Sequence, residues 1–437
     1  MINFNTYFHK KILSLPIAGP IKPGGIYILN IEKVSNFDKE KKLIDVGVNL
    51  FNTKISLKTF VGESIELTIL HPSLKLTDGS IDIEGVEREG MAWAEEKGLY
   101  PGGLRKTLLN TFVSGLVASC YPMFNEVQVK LIDKWIRALF AIDDWVDDGK
   151  LSLVLIQNAI KTKMEILTKI ATDSPLSVRK GSESDEDTKL TEAMKELFVQ
   201  IRAEILKNGG DVLEFLESLN KYFKSVLTEK KCEQDGAKLD EKTSVGIRED
   251  SSGAVHAIKG GSSILGINIK QLEDKYYVLS RMLSCSAFCF VASSNFCSDT
   301  KERNSLKESG EYTNLVQMKD AVAFNLIQIK WQSGEATEQS FSSVFQECVN
   351  VHNKSMETYY VLKAQLKAEM IQNEKSGDED PVMIKILHEK VELHLQIMEG
   401  WLSQSLWALL VPRYNLDVEV CQSSDLIALE ARIKALI

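Results

Sequence analysis

From about residue 86 onwards, apolar residues recur at intervals of three and four, and this periodicity restricts the chain to a helical fold. Examples are EGMAWAEEKGL at 89–99, VQVKLIDKWIRALFAIDDWV at 127–146 and VELHLQIMEGWLSQSLWALL at 391–410. Residues with this spacing lie along one side of an α-helix, where they can pack against a common core. The sequence therefore predicts an all-α domain spanning 86–437.

The first 85 residues have a different character. The segments GGIYILNIEKV at 24–34 and SIELTILHP at 64–72 are rich in β-branched residues, and GPIKPGG at 19–25 interrupts the chain before them. Such segments favour short strands. We predict an N-terminal extension or cap over 1–85, and surface loops at the polar segments 172–189, 230–243 and 373–381.

Composition excludes several kinds of partner. The chain has 437 residues and a net charge of −9, so it lacks the basic surface that tracks nucleic acid. No run approaches the roughly 20 apolar residues of a membrane span, and the N-terminus is a weak match to a secretory signal. Seven cysteines without paired spacing indicate reduced, mostly buried thiols. We expect a cytoplasmic protein.

One predicted helix ends in a concentration of aspartates, FAIDDWVDD at 140–148. Asp143 and Asp147 are four residues apart and share a helix face, and Asp144 and Asp148 repeat that relation beside them. A solvated helix end is the simple interpretation. The apolar residues interleaved with the aspartates instead indicate a rim between core and solvent, and Mg²⁺ is commonly held by one or two carboxylates together with substrate phosphates. The DDxxD spacing thus favours a site where Mg²⁺ holds a diphosphate.

A second oxygen-rich segment, SSNFCSDTKE at 293–302, follows another apolar run. Ser294, Ser298 and Glu302 are spaced at i, i+4 and i+8, which drifts only about 80° around a helix. All three could face one metal ion. Serine and glutamate at this spacing are also common on ordinary helix surfaces, so this signal is weaker than the first.

Together these motifs resemble those of the class I terpene synthases. DDWVDD at 143–148 looks like the family's aspartate-rich motif, and SNFCSDTKE at 294–302 looks like its second metal motif, (N/D)DxxSxxxE. Further similar segments follow the family's order: WAEEKGL at 93–99, the Tyr-Pro helix at 118–144, REDSSG at 248–253 and RYN at 413–415. The resemblance covers about 86–420.

The resemblance implies three Mg²⁺ ions and a role for each matching residue. Asp143 and Asp147, with Asp144 in support, would hold two ions, and Ser294, Ser298 and Glu302 the third. The implied diphosphate ligands are Arg248, Lys301, Arg413 and Tyr414. Ser251 and the backbone at Ser252 would couple diphosphate binding to helix movement. Ser294 departs from the family, which usually has Asn or Asp there, and Asn295 is one residue out of register.

Aromatic residues at two positions resemble those that line the family's pocket, namely Phe140 and Trp407. Their faces could steer a carbocation without capturing it. For Trp135, Phe288 and Trp331 we predict core packing, because aromatic residues at helical spacing are more often buried.

The implied fold is a class I terpenoid synthase α-helical bundle around a central active-site cavity, with the short N-terminal extension. The implied reaction is ionisation of an acyclic prenyl diphosphate and carbocation cyclisation. Similarity to animal enzymes of the soft-coral kind favours geranylgeranyl diphosphate and a diterpene product. A sesquiterpene cyclase acting on farnesyl diphosphate is the alternative, and the oligomeric state, including a homodimer, stays open.

The sequence also bears on three alternative classes of protein. A chain-elongating prenyl diphosphate synthase would carry a second DDxxD near residue 294, which is absent. A class II cyclase needs DxDD, and DED at 185–187 lies in a predicted polar loop. A non-catalytic helical scaffold or diphosphate-binding relative stays open because of Ser294.

Overall fold

The structure is a computed structural model. It describes residues 28–30, 43–45, 50–58, 64–72, 81–99, 112–147, 151–175, 185–237, 239–308, 325–333, 338–376, 380–404 and 418–421. Within the helix that contains the second predicted metal motif, the description of side chains ends at Asn295.

Most of the described residues from 81 onwards are helical, as the periodicity predicts. The helices are α1 Ile83–Glu96, α2 Val113–Cys120, α3 Glu126–Asp147, α4 Leu153–Ala171, α5 Asp185–Lys207, α6 Val212–Gln234, α7 Glu241–Ser251, α8 Ala254–Ile264, α9 Ile269–Lys275, α10 Val278–Glu308, α11 Leu326–Ser333, α12 Glu338–Ser376 and α13 Pro381–Leu402.

Short polar side chains start several of these helices. The side chain of Asp240 accepts a hydrogen bond from the Thr243 amide at 2.7 Å, which satisfies one of the free N–H groups in the first turn of α7. The prediction of a loop over all of 230–243 is wrong. Helix α6 continues to Gln234, and its buried face extends to Lys230.

In the part of the chain that the structure describes, four strands precede the helices and one follows them. They are β1 Ile28–Asn30, β2 Leu43–Asp45, β3 Leu50–Lys58, β4 Ser64–Pro72 and β5 Val418–Cys421. β4 coincides with the strand predicted at 64–72. β1 and β2 pair antiparallel, and β3 lies between β4 and β5 in a second antiparallel sheet. The division at residue 85 stays a prediction.

Asn353 of α12 attaches β4 to the helices. Its side-chain amide donates to the Thr68 carbonyl at 2.7 Å and accepts from the Leu70 amide at 2.9 Å, as a neighbouring strand would. Ile69 and His71 are buried beside these bonds. The contact satisfies part of the β4 edge, which would otherwise expose unpaired backbone groups.

One continuous apolar core runs through the helices. Trp135, Phe288 and Trp331 are fully buried in it, which confirms their prediction as packing residues. Of the cysteines whose side chains are described, Cys120, Cys285, Cys289 and Cys348 are buried and Cys232 is half-buried. Among the described residues, the histidines His256, His352 and His394 are also fully buried, and they are hereafter called the buried histidines.

Close helix contacts depend on glycine at two positions. A Cβ at Gly261 would lie 2.3 Å from the Tyr121 ring, and one at Gly400 would lie 2.3 Å from the Cys120 carbonyl oxygen. Both positions therefore allow α2 to pack directly against α8 and α13. Tyr121 also donates a hydrogen bond from its hydroxyl to the Ala257 carbonyl at 2.8 Å.

No single helix in the described ranges combines the length and apolar content needed to cross a membrane. One bent pair, Ile269–Lys275 with Val278–Asn295, reaches both only when its two members are taken together across a bend of 120°.

Candidate active site

The predicted aspartate-rich motif forms the last turn of α3. Asp143 is half-buried, and Asp144 and Asp147 are exposed, whereas Trp145 and Val146 between them are buried. The helix thus reaches the rim of the core at these aspartates, as their interleaving with apolar residues predicts.

Negative charge is concentrated around Asp147. Partial burial, followed by repulsion from Asp143, raises the pKa of Asp147 from 3.8 to about 7. Glu229 and Glu233 of α6 add to the repulsion, and Lys230 opposes it. One side of Asp147 contacts solvent while its other side is crowded by these carboxylates. A bound cation would relieve this repulsion, so the donor oxygens and their charge suit a divalent metal.

Lys163 of α4 supports the same turn of α3 from within. Its ammonium lies 5.3 Å from the centre of the Trp145 ring and pairs with Asp187 of α5 in a buried ion pair. The prediction of a polar loop at 185–187 is therefore wrong. These residues begin α5, and Asp187 is buried because Lys163 supplies its counter-charge.

Tyr222 and Glu229 extend the site onto α6, and the sequence analysis missed both. Tyr222 is buried, and its pKa is raised by burial first and then by the charges of Asp143, Asp147 and Glu229. The two side chains are seven residues apart, a spacing that places them on one helix face. That spacing was the available signal, but it does not reveal which neighbouring helix the face meets.

The segment REDSSG at 248–253, which resembles a motif of the family, contains a helix break between α7 and α8. Gly253 adopts a left-handed backbone conformation with φ of 76°, which favours glycine, and a Cβ there would lie 3.7 Å from the Tyr222 ring. Tyr222 is therefore close to both the aspartates and the break. Ser252 donates its amide to the Arg248 carbonyl at 3.0 Å and ends α7.

Arg248 lies in the last turn of α7 and extends to α6. Its Nη1 is 2.6 Å from Oε1 of Glu229, and both side chains are largely shielded from solvent. Ser251, three residues later, is buried, and its hydroxyl has no hydrogen-bond partner among the described atoms. The structure therefore places Arg248, Ser251 and Ser252 at the last turn of one helix, where Arg248 pairs with Glu229, whose charge also acts on Asp147.

Helix α10 carries the second predicted metal motif. Ser294 is half-buried, and its hydroxyl donates to the Val291 carbonyl at 3.1 Å, so its oxygen lone pairs can still accept or coordinate. Asn295 is fully buried, donates to the same carbonyl at 2.6 Å, and its own carbonyl accepts from Asn325 at 3.2 Å. Asn295 is thereby committed to packing against the start of α11.

Of the remaining site predictions, the structure describes the side chain of Phe140 alone. Phe140 is described and is half-buried against the core one turn before Asp143. The residues outside are Asp148, Ser298, Lys301, Glu302, Trp407, Arg413 and Tyr414.

His256, to which the sequence analysis assigns no role, lies directly behind the break. Its Nε2 accepts from the Trp135 indole at 3.1 Å, and its Nδ1 is 2.8 Å from the Ser218 hydroxyl. Burial lowers the pKa of His256 to about 3. The imidazole is thus neutral and supports the core under Tyr222, with which its ring is stacked.

Comparison with known protein families gives a match over part of the chain. Residues 134–320 match the model of terpene synthase family 2, C-terminal metal binding. That range contains the aspartates, the α7–α8 break and the second predicted metal motif. The sequences of curated proteins give no match.

Solved structures resemble the chain over most of its length. Linalool/nerolidol synthase from Streptomyces clavuligerus, in complex with 2-fluorogeranyl diphosphate, is 12% identical with a TM-score of 0.55; the match covers 77% of this chain and 96% of that one. This is a class I terpene synthase fold. Germacradien-4-ol synthase from Streptomyces citricolor is 13% identical with a TM-score of 0.52, and the match covers 76% of this chain and 97% of that one. α-Eudesmol synthase is 14% identical with a TM-score of 0.55, and the match covers 77% of this chain and 96% of that one.

The resemblance predicted from the motifs is confirmed at the level of the class I terpene synthases, and so is the helical fold class. Residues 134–320 thus resemble a metal-binding terpene synthase domain, and the fold is shared with solved class I terpene synthases.

Proposed function

We propose that this chain is a class I terpene cyclase that ionises an acyclic prenyl diphosphate in the presence of Mg²⁺, closes rings through carbocations and releases diphosphate. One observation carries the proposal. Asp143 and Asp147 crowd like charges at a helix end beside Glu229, which is itself paired with Arg248 at the α7–α8 break. Such crowding costs stability, and a metal–diphosphate ligand would compensate it.

Asp143 and Asp147, supported by Asp144, are the proposed ligands for two of three Mg²⁺ ions. Ser294, Ser298 and Glu302 are proposed for the third. Ser294 is favoured over Asn295 because Asn295 is fully buried and its side-chain amide nitrogen donates to the Val291 carbonyl. Bound Mg²⁺ would neutralise charge that develops on the departing diphosphate.

The chain's own cations bind and orient the diphosphate in this proposal. Arg248 would donate to phosphate oxygens from the end of α7, and a guanidinium can do so with two parallel hydrogen bonds. Lys301, Arg413 and Tyr414 are proposed as further donors. Ser251 would respond to movement of Arg248, because its buried hydroxyl has no partner among the described atoms and lies on the same final turn.

Aromatic side chains would protect the carbocation. Phe140 and Trp407 are proposed to present ring faces to it, which stabilises positive charge without supplying a nucleophile. The position of Phe140 one helical turn before Asp143 supports this role.

Geranylgeranyl diphosphate is the proposed substrate, which makes the product a diterpene, and farnesyl diphosphate is the alternative. Similarity to soft-coral enzymes motivates the longer substrate. The cytoplasm is the proposed location.

Product analysis tests the proposal. Purified protein would be incubated separately with geranyl, farnesyl and geranylgeranyl diphosphates, with Mg²⁺ or with EDTA, and the extracts analysed by gas chromatography with mass detection. We expect a cyclic hydrocarbon from geranylgeranyl diphosphate that EDTA and Asp143→Ala both abolish. A cyclic product from farnesyl diphosphate alone would reassign the substrate. Linear alcohols, or no turnover, would support a binding relative instead.

A further inference from the structure

Glu229 occupies a position between the two halves of the proposed diphosphate site. Its carboxylate contacts Arg248 at 2.6 Å on one side. On its other side it lies close enough to Asp147 to add to the repulsion there, and the charge of Glu229 also acts on Tyr222. No sequence motif singled out this residue.

The contact with Arg248 is sheltered enough to be energetically significant. Only 25% of the Arg248 side chain and 18% of the Glu229 side chain are exposed. Water therefore screens this pair less than a surface ion pair. Any anion that recruits Arg248 must take the guanidinium from Glu229 or share it.

We propose that Glu229 is a positioning residue that holds Arg248 in the unliganded protein and releases it to diphosphate. This inference rests on the function proposed above. Diphosphate binding is then an exchange of partners: Arg248 leaves one carboxylate and gains phosphate oxygens. Because Arg248 belongs to the last turn of α7, directly before Ser252 and the left-handed Gly253, its transfer pulls on the helix break.

The free energy needed to separate Arg248 from Glu229 makes the site selective for diphosphate over monoanions. A monoanion gains too little to displace Glu229, whereas a diphosphate offers more charge and several acceptor oxygens. Removing the charge of Glu229 while keeping its shape therefore strengthens diphosphate binding. A hydrogen-bonded charge pair of this kind is worth about fivefold to tenfold in an equilibrium constant.

Isothermal titration calorimetry of the full chain with inorganic diphosphate and Mg²⁺ tests the exchange. We expect Glu229→Gln to bind diphosphate about fivefold to tenfold more tightly than wild type. Glu229→Asp, whose shorter side chain loosens the contact, should fall between the two and provides the test should the Gln variant fail to fold.

Glu233→Gln is the matched control. Glu233 is one turn further along α6 and also repels Asp147, but its ion-pair partner is Lys230 at 2.7 Å. This variant should change the affinity by about twofold at most, as expected for a half-exposed pair. In steady-state assays Glu229→Gln should lower KM for the prenyl diphosphate without raising kcat, which a general loss of structure would not do.

Equal affinities for the Glu229→Gln and Glu233→Gln variants, or weaker binding by both Glu229 variants, would overturn the exchange. The two proposals fail separately. A wild-type protein that cyclises its substrate while all variants bind diphosphate alike refutes the role of Glu229 alone. A wild-type protein that binds diphosphate but forms no cyclic product refutes the cyclase and leaves the exchange measurable.

Discussion

Neutralising Asp147 should stabilise the metal-free protein even as it damages the proposed site. The pKa of Asp147 is raised from 3.8 to about 7, so its charged form is disfavoured in the fold. A shift of that size corresponds to about 4 kcal/mol for a fully sheltered group. Since Asp147 is exposed on one side, solvent screening reduces the expected gain for Asp147→Asn to about 1–2 kcal/mol.

The pH dependence of this gain has a definite sign. The pKa of Asp147 is higher in the folded protein than in the unfolded chain. The loss of stability caused by its charge is therefore complete above about pH 7 and declines as the pH falls towards 3.8. Asp147→Asn should therefore gain most at pH 8 and less than half as much at pH 5. Urea unfolding in EDTA at both pH values measures the difference.

Two comparisons complete the test. Glu217→Gln, which neutralises an exposed carboxylate on α6, should change the free energy of unfolding by less than about 0.5 kcal/mol. Added Mg²⁺ should stabilise wild type more than Asp147→Asn. A variant that is less stable than wild type in EDTA at pH 8 would refute the claim that charge crowding at this turn is costly.

Three further outcomes are expected. Lowering the pH from 7 to 5 should reduce the free energy of unfolding by about 2 kcal/mol for each of the buried histidines. Burial lowers their pKa values from 6.5 to about 3 or 4, so protons bind the unfolded chain first. Urea unfolding should show that His256→Gln loses about a third of this pH effect relative to wild type. Gly261→Ala should destabilise by about 1–3 kcal/mol by clashing with Tyr121, whereas Gly246→Ala, with open space around it, should not destabilise; thermal unfolding compares them. Asn353→Leu should cost about 1–3 kcal/mol and speed hydrogen exchange in β4, and unchanged exchange would contradict its docking role.

Periodicity and motif order predicted the helical fold class, because both depend on local spacing. The aspartates fall at the end of α3 and the break falls at Gly253, since a helix end at charged residues and a left-handed glycine are local events. The strand at 64–72 was likewise predictable from its β-branched residues.

Contacts between distant segments were not predictable. Polar residues at 185–187 look like a loop until Lys163 is known to lie opposite Asp187. Glu229 looks like one more surface charge near the end of α6, and its importance follows only from Arg248 and Asp147 lying beside it. The helical register made Asn295 a poorer metal ligand than Ser294, but its burial against Asn325 became visible only with the packing of α10 and α11.

The central claim is that a metal-bound diphosphate lies between the end of α3 and the α7–α8 break. Anomalous diffraction from crystals grown with Mn²⁺ and inorganic diphosphate tests it most directly. The account predicts Mn²⁺ peaks within coordination distance of Asp143 and Asp147, with Arg248 hydrogen-bonded to the diphosphate. Mn²⁺ and diphosphate bound elsewhere, with Asp143 and Asp147 without a metal ion, would contradict it.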